Sequence, residues 1–110
     1  MKWELSRIYY AFEKLSNLNW DTSNDLKWGF TFFAKSKTTL NKIFDELVDY
    51  NYHIDKFEKR EDLDLWMLHV TKIETLLPDK LHRRNLAFEQ LANSFDESDY
   101  DGWSVEKTEN

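Results

Sequence analysis

The chain has 110 residues, and its 15 Lys and Arg against 21 Asp and Glu give a formal net charge of −6. That length suits one domain with one modest core. The absence of Cys excludes disulfides, thiolate metal sites, iron–sulfur clusters and cysteine nucleophiles, and it suits a reducing cytoplasm. No apolar run approaches the ~18 residues of a membrane span, and the opening Met1-Lys2-Trp3-Glu4 lacks the apolar stretch of a secretory signal. Aromatic content is high, with 5 Trp, 5 Tyr and 8 Phe, which argues for a packed core. Only 2 Gly and 1 Pro occur, and no Gly-rich phosphate loop is present.

From Lys2 to Leu18 the residues Leu5, Ile8, Phe12 and Leu15 recur at helical spacing. The polar run Asn19 to Asp25 ends that helix, interrupted by Trp20. Trp28 to Ala34 reads as a strand, with Trp28, Phe30 and Phe32 on one side and Gly29, Thr31 and Phe33 on the other. Gly29 there marks a bulge or a close backbone approach. Ser36 suits an N-cap, and Leu40, Ile43, Phe44, Leu47 and Val48 form the clearest amphipathic stripe in the chain. Asn51 falls where a left-handed residue closes a helix. Tyr52 to Phe57 alternates as a second strand, and the charged stretch Glu58 to Asp62 reads as a hairpin connection. Leu63 to Glu74 is the third strand, with Trp66, Leu68 and Val70 opposite Met67, His69 and Thr71. Pro78 opens a helix whose stripe is Leu81, Phe88, Leu91, Ala92 and Phe95. Asp96 to Asp99 is a loop, Asp101-Gly102 a turn, and Tyr100 to Lys107 a last strand.

After residue 26 the order is strand, helix, strand, strand, helix, strand, the βαββαβ pattern of a ferredoxin-like α+β fold. It predicts a four-stranded antiparallel sheet with two helices on one face. Residues 1–26 form an added helix and connector, and residues 27–110 form the ferredoxin-like domain. The added helix has its own apolar stripe, so it is expected on the open face of the sheet or along an edge.

Tyr100-Asp101-Gly102-Trp103 at the last strand resembles the final-strand signature of bacterial proteins similar to regulator of ribonuclease E activity B. The resemblance extends to Trp28-Gly29-Phe30, Tyr50-Asn51-Tyr52, Leu68-His69-Val70, Pro78 and Arg83-Arg84-Asn85, covering roughly residues 27–107. It implies a ferredoxin-like fold and a non-catalytic protein that binds the endoribonuclease of the RNA degradosome. Two departures are visible. Asn51-Tyr52 stands where the family often has Gly-Tyr, and this chain ends seven residues after Trp103, without the long acidic tail of the named regulator.

Chemistry-bearing motifs are sparse. His53, His69 and His82 are spaced by 16 and 13 residues and match no local metal-ligand pattern. Glu97 to Gly102 begins like a calcium loop, but position 12 is Thr108 and no exit helix follows. No nucleophile elbow occurs, so no catalytic residue, metal or cofactor is expected, and an enzyme is the third reading. The acids cluster instead. Residues 44–65 carry eight acids and three bases, and residues 96–110 carry six acids and one base. Asp55, Glu58, Glu61, Asp62 and Asp64 are therefore the candidate contacts for a basic protein partner such as an endoribonuclease. The rival reading is single-stranded nucleic-acid binding on Trp28, Phe30, Phe32, Phe33 and Trp66. The net charge of −6 and the acids flanking the third strand oppose it. Asn85 shares a helix face with Leu81, Phe88 and Ala92, and is expected to bond a neighbouring strand or loop.

Overall fold

The structure, a computed structural model, describes residues 4–108. Its elements are α1 (Leu5–Asn17), β1 (Leu26–Ala34), α2 (Lys37–Leu47) with a following 3-10 turn (Val48–Tyr50), β2 (His53–Arg60), β3 (Leu65–Glu74), α3 (Pro78–Asn93) and β4 (Ser98–Glu106). The expected start of α1 at Lys2 lies outside the described residues. The strands make one antiparallel sheet in the order β2-β3-β1-β4.

Local chemistry sets most of these boundaries. Ser36 Oγ accepts the Thr39 amide at 3.1 Å and so caps α2. Asn51 adopts φ 69° and ψ 26° after the 3-10 turn and directs the chain into β2. Pro78 occupies the first turn of α3, where its missing N–H costs nothing.

The core lies on one face of the sheet. Trp28, Phe30 and Phe32 of β1 are all 0% exposed, as are Leu68 and Val70 of β3 beside them. Phe88 of α3 meets Phe30 edge-on at 5.0 Å and Phe32 at 5.5 Å, while Leu40 and Ile43 of α2 complete the layer. Each such side chain contributes about 1.5–3 kcal/mol on burial.

The position of α1 corrects the sequence expectation. Phe12 stacks on Trp28 at 5.8 Å, and Ile8 joins the same core cluster. Trp28 points to the side that Phe30, Phe32 and α3 share, so α1 lies in the helical layer beside α3. Trp103 of β4 packs against the same Trp28 ring at 5.8 Å. Among the described residues no helix covers the other face of the sheet.

The strands also differ from expectation in three places. β2 continues through Arg60, paired with Leu65, and the turn is residues 61–64 rather than Glu58 to Asp62. Charge at Glu58 and Lys59 had suggested a loop, but an edge strand facing water carries charges without leaving the ladder. A register shift between Ile54 and Lys56 makes Asp55 the extra residue. Phe57 therefore returns to the side of Ile54 and meets Trp66 at 6.3 Å, where strict alternation had separated them. The third shift lies in β4, which begins at Ser98. There Asp101-Gly102 is a bulge inside the strand, not a turn before it. Thr31 pairs with Gly102, Phe32 pairs with Tyr100, and Gly102 has φ 125°, a conformation that glycine alone adopts freely.

Candidate functional site

The open face of the sheet is built from Thr31 and Phe33 of β1, Met67 and His69 of β3, and the outward residues of β2 and β4. At its centre His69 is within hydrogen-bond reach of Thr31 on one side and faces a carboxylate on the other. Its Nδ1 lies 2.8 Å from Thr31 Oγ1, and its Nε2 lies 3.9 Å from Asp55 Oδ2. Gly29 leaves space for the ring, because a Cβ there would sit 2.6 Å from His69 Cε1 and 2.6 Å from Ser104 Oγ. The expected close approach at Gly29 is therefore to a side chain across the face. Burial lowers the His69 pKa below its ordinary value, against the pull of Asp55 and Glu106.

All five candidate acids are exposed. Asp55 and Glu58 line a shallow depression of about 470 Å³ on the open face, together with Lys56, Arg60, Met67 and His69. Glu61, Asp62 and Asp64 lie in the β2–β3 turn. Their electrostatics are more balanced than the sequence suggested. Arg60 grips Asp62 with Nε at 3.1 Å and the terminal nitrogen at 2.9 Å, and Lys59 Nζ sits 3.2 Å from Asp64. With Lys56, the hairpin has five acids and three bases, a surplus of two. The other three acids of the 44–65 segment, Asp45, Glu46 and Asp49, lie on α2 and the 3-10 turn, away from the hairpin tip. Glu58 and Glu61 hold no ion pair among the described residues.

The aromatic platform considered for RNA is not on the open face. Trp28, Phe30 and Phe32 are fully buried beneath the helices, and Trp66 packs against Phe57 on that same side. Of the five, Phe33 alone points to the open face. No cluster of three His, Asp or Glu side chains among the described residues is arranged to hold a metal ion.

The remaining motif residues form a buried frame. Tyr100 and Asn85 are both 0% exposed, and the Tyr100 hydroxyl donates to Asn85 Oδ1 at 2.5 Å. Burial raises the Tyr100 pKa well above the ordinary tyrosine value, so the hydroxyl stays protonated and able to donate. Arg84 pairs with Glu74, and its guanidinium lies 5.9 Å from the ring centres of Phe30 and Tyr52. Trp103 leans on Trp28, while Asp101 and Gly102 make the β4 bulge. Arg83 is set apart from this frame at the helix surface. These residues tie α3 to the sheet, and a signature built on them reports the fold.

The family model for RraB, regulator of ribonuclease activity B, matches residues 10–105. The chain belongs to the RraB family. The match runs from within α1 to Val105 in β4, and it includes both Arg83-Arg84-Asn85 and Tyr100-Asp101-Gly102-Trp103. No curated protein matches the chain. RraB is a regulator of ribonuclease activity, which accords with a non-catalytic regulator and with a protein partner. No helix among the described residues of this chain is long and apolar enough to cross a membrane.

Proposed function

We propose that this chain is a non-catalytic regulator that acts by direct contact with a basic, RNA-processing endoribonuclease in the bacterial cytoplasm. The contact is made by Asp55, Glu58, Glu61, Asp62 and Asp64 together with the open face of the sheet. The observation that carries this reading is the exposure of all five acids on one hairpin in a chain of the RraB family. The domain is ferredoxin-like in this reading. The strand order supports it, since read from the other edge it is β4-β1-β3-β2. Residues 1–26 are an appendage to that domain, and no cofactor takes part.

Rim charges act chiefly on the association rate, and salt screens them over about 10 Å at 0.1 M. The test is association kinetics with a purified degradosome endoribonuclease at low and moderate salt. Changing Glu58 and Glu61 to Gln and Asp62 and Asp64 to Asn should slow association severalfold at low salt and flatten its salt dependence. Equal association rates at low salt would overturn the hairpin contact. The nucleic-acid reading makes the opposite prediction, because removing acids lessens repulsion of phosphate. Oligonucleotide binding that strengthens in the neutralised variant would favour it.

A further inference from the structure

On the helical side, far from the acidic hairpin, the surface changes sign. A groove of about 370 Å³ lies where the end of α2 meets α3, and its walls include Lys72, Lys80, Arg83 and Arg84. Glu46 is the one acid on those walls. Four of the chain's 15 cations thus converge on one groove in a molecule of net charge −6. Arg84 is engaged by Glu74. Lys72, Lys80 and Arg83 hold no ion pair among the described residues. The Lys72 ammonium stands 5.1 Å above the Tyr52 ring, which fixes a cation over an apolar floor.

The groove does not end at α3. A second depression between α3 and α1 shares Lys80 and Arg83 with it and is also lined by Tyr9 and Leu77. Large apolar side chains stand exposed at both ends, Tyr50 at 65% and Leu77 at 58%. The whole is a track with cations along its middle and, at its ends, an exposed apolar side chain beside an acid, Tyr50 with Glu46 and Leu77 with Asp79.

We infer that this track is a docking site for an acidic, apolar-studded peptide segment of a protein partner. Side chains on one face of an extended peptide recur about every 6.6 Å, so carboxylates at its central same-face positions meet the cations while apolar residues on that face near its two ends meet Tyr50 and Leu77. A continuous phosphate backbone is the poorer occupant. Asp79 lies at one end of the track and Glu46 at the other, and a strand with a charge at every nucleotide would run onto both. The site lies on the opposite side of the sheet from the hairpin contact proposed above and does not rest on it.

The test uses the full chain and a fluorescein-labelled ten-residue peptide with Asp or Glu at its central same-face positions and Leu or Phe at the same-face positions near both ends. Its Lys-for-acid counterpart and a ten-nucleotide oligouridylate are the comparisons, and anisotropy is the readout. The acidic peptide should bind, the basic peptide should not, and binding should weaken with salt. Lys80→Glu and Arg83→Glu should each weaken it about tenfold, as reversal of a close charge contact does. Tyr50→Ala should weaken it severalfold with the salt slope unchanged. Melting temperatures of the three variants report that the fold is retained. Absence of acidic-peptide binding, equal binding of the basic peptide, insensitivity to both reversals, or tighter binding of the oligouridylate would each overturn the inference.

Discussion

At the scale of single residues, Asn85 and Tyr100 carry a heavy constraint. Asn85 is sealed from water and its Oδ1 is satisfied by one hydroxyl from β4. Tyr100→Phe keeps the ring in the core and removes that donor, which should cost about 1–3 kcal/mol in urea unfolding. Adding Asn85→Leu should recover part of the loss, because an apolar pair leaves no orphaned acceptor. The helical stripe made this legible: an Asn in line with Leu81, Phe88 and Ala92 needs a partner. The stripe did not say which strand would supply it.

His69 makes a second residue-scale case. A histidine with a lowered folded pKa binds fewer protons folded than unfolded. Its contribution to stability is therefore full above the ordinary value of 6.5 and declines as pH falls toward the folded value. His69→Gln should flatten the pH dependence of the melting temperature between pH 7 and 5, and an equally steep dependence in the variant would refute the assignment. Lys27 and Lys56 lower the pKa further and Glu106 raises it, so the measurement belongs at moderate salt. Gly29→Ala presses on the same ring and Ser104 Oγ, and should cost about 1–3 kcal/mol. Alternation placed Gly29 and His69 each on its own strand's face. Thr31 and His69 are 38 positions apart, so nothing local in the sequence announced their bond.

Among the elements, α2 and α3 were readable because each carries an apolar stripe and a start signal, Ser36 for α2 and Pro78 for α3, and β1 and β3 because their side chains alternate cleanly. The docking of α1 was not. An amphipathic stripe says that a helix has a buried face, but not which surface buries it. Here the Trp28 ring decided, stacked on Phe12, and the stripe narrowed to Ile8 and Phe12 as its buried members. Phe12→Ala should destabilise by about 3 kcal/mol, the lower end for a core phenylalanine. Deleting residues 1–18 should lower the melting temperature and create a dye-binding patch on the helical side around Trp28. An unchanged melting temperature would show that α1 is not part of the core. The bulges at Asp55 and Asp101 were hidden for another reason: a one-residue shift leaves composition and periodicity nearly intact and shows only in the register.

For the molecule as a whole, what decides is where the charges fall. Linear counting joined Asp45, Glu46 and Asp49 to the hairpin acids and overstated the patch. It also missed the cationic track, whose members come from β3 and α3 and meet only when the helices cover the sheet. Yet the parity of β3 already put Lys72 on the side of Leu68 and Val70, so part of the track was there to be read. The hairpin tip and the track sit at opposite ends of β2 and β3. From Leu65, at the hairpin end of β3, to Lys72 is seven residues, roughly 23 Å at 3.3 Å per residue, and Glu58, paired with Met67, stands five residues from Lys72, roughly 17 Å. These are about two to three Debye lengths at physiological salt. Sites so far apart with no shared partner change binding independently, usually within about 0.5 kcal/mol, or roughly twofold. The four-acid hairpin variant should therefore bind the acidic peptide within about twofold of the wild type at 0.15 M salt. Lys80→Glu with Arg83→Glu should in turn leave the association rate with the endoribonuclease within the same margin. If either set of changes disturbs the other site's binding tenfold, the two faces are one continuous interface, and a partner wraps the edge strand β2 rather than engaging each face alone.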